Sequence, residues 1–206
     1  VTYKPDLIIV ADYGQMIPEN IINYPKFKCI NIHGSLLPKY RGAVPAAMAI
    51  LNGDKTTGVS IPIMTKGLDD GAIIASREAE ILPEDTTFSL RIRLSGVANE
   101  LLTRVLPEWL EGKIEPAKQD NSQATFTWEK DLKKEKAQIT IYTAVEQAER
   151  MVRAFIPWPV AWMKTDFMGK ERRLKIFQAI ISDWSVQAHE VGQVFKENKK
   201  LFLTLK

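Results

Sequence analysis

The sequence predicts an α/β front half followed by a small antiparallel β module, and three observations predict it. Residues 6–12 (DLIIVAD) and 29–32 (CINI) are short continuous apolar runs, the pattern of strands buried on both faces in a parallel sheet. Between them IPENIINY places Pro18 near a helix start, giving a strand–helix–strand unit with a right-handed crossover. From residue 162 onward the chain alternates in WMKTDF, RRLKIFQAII and GQVFKENKKLFLTL, as half-buried antiparallel strands do.

The remaining elements follow in order. Residues 44–52 are Ala-rich and predict a short helix ended near Gly53. Residues 57–64 (TGVSIPIM) predict a strand in which Pro62 requires an edge or a bulge. Another extended stretch starts at residues 72–75. Residues 86–111 carry Leu90, Ile92, Leu94, Val97, Leu101, Leu102, Val105 and Leu106 at helical spacing, with Thr86 or Thr87 as the cap and an end before Gly112. Residues 115–135 are polar and aperiodic and predict a linker, with Phe126 and Trp128 pinning it to a surface. Residues 144–155 predict an amphipathic helix stopped by Ile156-Pro157. Gly169 and the Glu197-Asn198 region supply turns. The division expected is therefore 1–114, a linker over 115–135, and 136–206. Val1 leads almost directly into a central-type strand without an initiating methionine, so a longer chain with more N-terminal sheet is expected.

Composition narrows the function. At 206 residues and 45% hydrophobic the chain can bury a core. No apolar run reaches the roughly 18 residues a membrane span needs. Cys29 is the single cysteine, which excludes an internal disulfide and predicts a reducing, cytoplasmic setting; its own pattern is that of a small buried hydrophobe. With two distant histidines, no structural zinc or other metal is expected. Residues 130–206 hold 15 Lys+Arg and 9 Asp+Glu, a net of +6, leaving 28 − 15 = 13 basic against 25 − 9 = 16 acidic, or −3, in front. A basic back half suits a polyanion.

The chemistry concentrates in CINIHGSLLPKYRG, residues 29–42. Period two puts Asn31 and His33 on one face, at the carboxyl end of a strand, where ligands of open α/β sheets bind. An amide and an imidazole together suit an oxygen that becomes negative in a tetrahedral intermediate, and a neutral imidazole can accept a proton from an attacking amine; the Asn-x-His pair alone equally describes two side chains satisfied by loop backbone, the commoner case for so short a motif. The glycines and Pro38 of GSLLPKYRG shape a tight loop in which Gly34 lets backbone approach a ligand. KGLDDG, residues 66–71, supplies two carboxylates, either of which could orient His33 and favour its charged form, or serve as an ordinary turn.

CINIHGSLLPKYRGAVPAAMAILNGDKTTGVSIPIMTKGLDDGAII, residues 29–74, resembles the catalytic core of the 10-formyltetrahydrofolate-dependent formyltransferases. The resemblance implies a Rossmann-like formyltransferase domain, incomplete at its N-terminus, and an OB-like β-barrel behind it. It implies catalytic roles for Asn31, His33 and, from GLDDG, Asp69, without assigning Asp70. It implies 10-formyltetrahydrofolate as formyl donor, contacted by Ser35, Leu36, Leu37 and Pro38 and by the DYGQMIP segment, with Tyr13, Gln15 and Ile17 lining the pterin pocket. Gly34 separates the chain from purine-pathway relatives, which usually carry proline there. MVRAFIPWPVAW, residues 151–162, resembles the start of the C-terminal domain in the branch that formylates initiator methionyl-tRNA for translation initiation. That branch implies an enzyme that acts as a monomer on tRNA, with Arg153 and the basic residues of 170–175 either contacting phosphate or forming a solvated hairpin. A sugar-nucleotide formyltransferase and a non-catalytic tRNA-binding remnant are the alternatives. His189, in SVQAHEVG, is expected at the surface, and Trp158 is expected in the core.

Overall fold

The structure, a computed structural model, describes residues 3–167, 170–181, 194–197 and 200–203. The chain runs β1 (Ile8–Ala11), α1 (Glu19–Ile22), β2 (Cys29–Ile32), β3 (Arg41–Gly42), α2 (Pro45–Asn52), β4 (Thr56–Pro62), β5 (Ile73–Glu80), α3 (Thr87–Leu110), β6 (Phe126–Thr127), α4 (Val145–Ala154), β7 (Trp162–Phe167), β8 (Lys170–Lys175), β9 (Val194–Glu197) and β10 (Lys200–Leu203). The expected turn at Gly169, the turn at Asn198 and His189 lie outside the described residues.

β1 and β2 pair in parallel, with Ile8 opposite Cys29 and Ala11 opposite Ile32. Single bridges Ile30–Ile63 and His33–Ser60 then set β4 antiparallel beside β2, and β4 pairs antiparallel with β5. The layer is therefore mixed, not purely parallel as the apolar runs predict. Between β4 and β5 the cause is the connection: residues 63–72 form no helix, and a parallel return needs a crossover of a dozen or more residues. The register slips between Ile61 and Pro62, the bulge that Pro62 requires. β1 is not buried on both faces either. Ile9 faces solvent, because the main core gathers Ile30, Val59, Ile61 and Ile74 under α2 and α3 and reaches β1 only at its margin.

The helices form where sequence spacing places them. Pro45 opens α2 and Gly53 closes it in the left-handed region at φ +74°. Thr86 caps α3: its hydroxyl accepts from the Ser89 N–H, while the Ser89 hydroxyl accepts from the Thr86 N–H. Leu90, Leu94, Ala98, Leu101 and Val105 form the buried stripe, each leucine contributing about 1.5–3 kcal/mol by burial. Ile92 departs from expectation at 57% exposed, since it falls off that stripe.

Residues 115–135 are not a free linker. Ala117 bridges Ile73, β6 pairs in parallel with β3, and short 3₁₀ turns occupy residues 121–123, 129–132 and 134–137. The segment thus straps across the loops at 40–43 and 69–73. Beyond it, α4 packs Ala148, Met151, Val152 and Phe155 against Ala137, Ile139, Ala161 and Trp162 in a second cluster. The Thr87 hydroxyl donates to the Ala154 carbonyl at 2.7 Å, tying α4 to the start of α3. Trp158 is 55% exposed, against the core placement expected, while Trp162 takes the buried position and donates its indole N–H to the Lys134 carbonyl. β7–β8 and β9–β10 are two separate antiparallel pairs, and among the described residues they do not close an OB-like barrel. No described helix is long and apolar enough to cross a membrane.

One part-buried pair is expected to make the fold sensitive to alkali. The Tyr40 hydroxyl donates to Asp54 Oδ2 at 2.7 Å and accepts from the Asn52 amide at 3.0 Å. Burial first, then the Asp54 carboxylate, push its pKa up to about 12. An unfolded tyrosine ionises near 10, so this contribution is complete below about pH 10 and is lost as pH rises towards 12. Tyr40→Phe is expected to cost ~1 kcal/mol at pH 7. Denaturant unfolding is expected to show a decline above pH 10 that is steeper in the wild type than in the variant; parallel declines would count against this origin.

Candidate active site

β2 delivers Asn31 near its end and His33 one residue beyond it. The His33 backbone is pinned by reciprocal N–H···O bonds with Ser60 on β4, each 2.9 Å. His33 is 5% exposed, and its ring is held from two sides. Nε2 lies 2.9 Å from the Tyr40 carbonyl, and Nδ1 lies 3.5 Å from Asp69 Oδ2. A carbonyl can only accept, so in this contact Nε2 is the protonated nitrogen and Nδ1 is the one that faces the Asp69 carboxylate.

Asp69 is the hub. Its Oδ1 accepts from Asn31 Nδ2 at 3.2 Å, and its Oδ2 accepts from the Gly42 N–H at 2.8 Å. The residue itself sits at φ +48°, the sparsely populated left-handed region, in the tight loop between β4 and β5. Gly42 must be glycine: at φ +109° an added Cβ would lie 2.1 Å from the Thr127 carbonyl oxygen. Asp70, the other carboxylate of GLDDG, turns away and accepts from the Thr65 hydroxyl. The second N–H and the oxygen of the Asn31 amide have no partner among the described residues. The site can therefore present an amide N–H to an oxygen that acquires charge, with the His33 ring and the Asp69 carboxylate beside it.

The other expected contacts divide. Tyr13 and Gln15 are exposed and Ile17 is half-buried in the loop after β1, at the same carboxyl edge as His33. Leu36 and Pro38 are half-buried, whereas Ser35 and Leu37 are buried. The Ser35 hydroxyl donates to the Lys39 carbonyl at 2.6 Å, and the Leu37 N–H donates to Ser60 Oγ. A ligand at this loop would meet Ser35 and Leu37 through backbone. A Cβ at Gly34 would make only ordinary contacts with Pro45 and Leu94, so none of the described residues demands glycine there. Tyr40, Gly42 and Gln119 complete the surroundings of the site; the first two act through backbone, and Gln119 arrives from the strap. Arg153 is committed to Glu149 through two bonds and to the Asp85 carbonyl at 3.1 Å. Every residue of β8 is exposed. Among the described residues no group of three or more His, Cys, Asp or Glu could hold a metal.

Together the fold and the site define an α/β domain whose polar triad sits at the carboxyl end of a parallel strand pair. The Formyl transferase family matches residues 1–106, and the family's C-terminal domain matches residues 131–205. The chain belongs to the formyl transferase family. It is 38% identical over 203 residues to the methionyl-tRNA formyltransferase of Colwellia psychrerythraea, covering 96% of this chain and 61% of that one. It is 40% identical over 205 residues to that of Lachnospira eligens, covering 98% and 63%. The chain thus spans somewhat under two thirds of the length of these curated relatives. Among solved structures, a 4-N formyltransferase from Francisella tularensis superposes with TM-score 0.71 at 26% identity, covering 85% of this chain and 72% of that one. HypX from Aquifex aeolicus, solved with tetrahydrofolic acid, shares the fold with TM-score 0.70 at 23% identity, over 82% and 28%.

Proposed function

We propose that the protein transfers a formyl group from 10-formyltetrahydrofolate to the α-amine of initiator methionyl-tRNA, in the cytoplasm, for translation initiation. The observation that carries this is the convergence of Asn31, His33 and Asp69 within hydrogen-bonding or ion-pairing distance on one strand end. The amine nitrogen attacks the formyl carbon, whose oxygen becomes negative beside the free Asn31 N–H and the His33 ring. Asp69 holds both groups. The intermediate collapses by breaking the carbon–nitrogen bond to the folate; one proton leaves the amine and one joins the departing nitrogen. Folate lies along the loop after β1 and the 34–38 loop, with Tyr13, Gln15 and Ile17 beside the pterin. The exposed cations of β8 (Lys170, Arg172, Arg173 and Lys175) meet tRNA phosphates, which makes affinity fall with salt. Residues 1–114 are the catalytic module and 136–206 the tRNA-facing one, and the protein acts as a monomer.

Relatives at 38–41% identity over most of the chain favour methionyl-tRNA over a sugar-nucleotide amine, the acceptor class of more distant neighbours. The full-length protein, given formyl-labelled donor, is expected to label methionyl-tRNA at least ~10³-fold faster than an amino-sugar nucleotide, the margin a site loses when its polar contacts go unmatched. Label on the sugar amine would replace the proposed acceptor; label on neither would remove the transferase assignment.

A further inference from the structure

We propose that Gln119 is a positioning residue that sets Asp69 against His33; the inference rests on the formyl transfer proposed above. Gln119 comes from the strap, fifty residues beyond Asp69. Its Nε2 donates to the Asp69 carbonyl and to the Gly71 carbonyl, each at 2.7 Å. One planar amide thus clips the two carbonyls that bracket the turn and holds Asp69 at φ +48°. Its Oε1 accepts from Arg41 Nε at 3.1 Å and from Arg41 Nη2 at 2.7 Å. Arg41 is flanked by the other two groups of the site: the Tyr40 carbonyl, which faces His33 Nε2, and the Gly42 N–H, which binds Asp69 Oδ2. A single side chain therefore fixes the 40–42 loop and the 69–71 loop at one spacing.

The choice of residue type points the same way. Arg41 is 4% exposed, and among the described residues it forms no ion pair; its acceptors are the neutral oxygens of Gln119 and Asn121. If position 119 served only to satisfy a buried guanidinium, a glutamate would do so with a charge-assisted pair. A carboxylate there would have no hydrogen for the Asp69 and Gly71 carbonyls and would face them oxygen to oxygen. The amide meets both demands, one on each face.

Gln119→Glu separates the two roles because it is isosteric and keeps the Arg41 contact. In the full-length protein, kcat is expected to fall ~30–100-fold, since misplacement by about 1 Å costs on the order of 10²-fold. KM for folate and tRNA is expected to stay within about threefold and the unfolding temperature not to fall. Amide exchange supplies a readout independent of turnover. The Gly42 N–H, bonded to Asp69, is expected to exchange at least ~10-fold faster in the variant, while the N–H groups of Arg41 and Ala43, bonded to Thr125 and Thr127, keep their protection. A kcat within threefold of wild type, or unchanged Gly42 protection, overturns the proposal. If wild type itself moves no formyl group, the functional assignment fails, and the Gly42 exchange still decides the positioning role. Should the glutamate variant not fold, Gln119→Met, which removes both sets of contacts, is read by exchange alone: faster Gly42 exchange with Arg41 and Ala43 still protected supports the proposal, and unchanged Gly42 protection overturns it.

Discussion

His33→Ala is expected to lower kcat for formyl transfer by ~10³-fold or more while the protein still folds and binds folate. Two effects combine. Removing a donor from an oxyanion site costs ~10²–10³-fold, and removing a proton-transfer group costs ~10²–10⁴-fold; one side chain serves both, so the losses overlap instead of multiplying. The fold survives because the His33 backbone, not its ring, bridges to Ser60. Losing the ring leaves the Tyr40 carbonyl and one face of the Asp69 carboxylate without a donor, and truncation of a buried side chain adds a small cavity. A stability loss of about 2–3 kcal/mol is the expected scale. Single-turnover transfer, folate binding by calorimetry and thermal unfolding measure the three quantities separately. Transfer within tenfold of wild type would remove His33 from the chemistry.

Much of this site was legible in the sequence, and the boundary has a physical cause. Asn31 and His33 share a face because a strand repeats every two residues, a local property visible in INIH. Asp69 was legible only through the family resemblance, because GLDDG offers two carboxylates; the choice is made by Gly42 on β3 and Asn31 on β2, which lie far away in sequence. The backbone groups of Tyr40 and Gly42 leave no trace in side-chain identity. Residues 115–135 read as a linker because their order comes from outside partners: Ala117 from Ile73, Phe126–Thr127 from Arg41–Gly42, and Gln119 from three residues at once. Periodicity reports packing onto one face, and a strap has no face to repeat. The same limit explains the helices: α3 was legible from its buried stripe, whereas Ile92, apolar by type, fell outside that stripe into solvent.

Asp69→Asn is expected to lower kcat by ~10²–10⁴-fold, although it changes a single oxygen into an NH2 group. The carboxylate is acceptor-only and is used as such on both oxygens: Oδ1 takes the Asn31 N–H and Oδ2 takes the Gly42 N–H. The Gly42 N–H cannot reverse its role, and the Asn31 amide can do so only by turning its oxygen towards position 69. An asparagine must therefore either set its NH2 against the Gly42 N–H, leaving a pair unmade at a cost of about 1–3 kcal/mol, or force the Asn31 amide to flip. If the NH2 faces Gly42, the 40–42 loop is pushed away, and with it the Tyr40 carbonyl that holds His33. If it faces Asn31, the amide that would steady the oxyanion is displaced instead. Either way the negative charge 3.5 Å from His33 Nδ1 is gone. Asp70→Asn is the matched control, because that carboxylate is exposed and bonded to Thr65; its activity is expected within about twofold of wild type. Transfer rates of the two variants across pH 5–9, each beside its folate affinity, give the comparison. Equal losses in both would show that the loop as a whole matters and not the carboxylate at 69. A loss confined to folate affinity in Asp69→Asn would move that carboxylate from the reacting atoms to ligand binding.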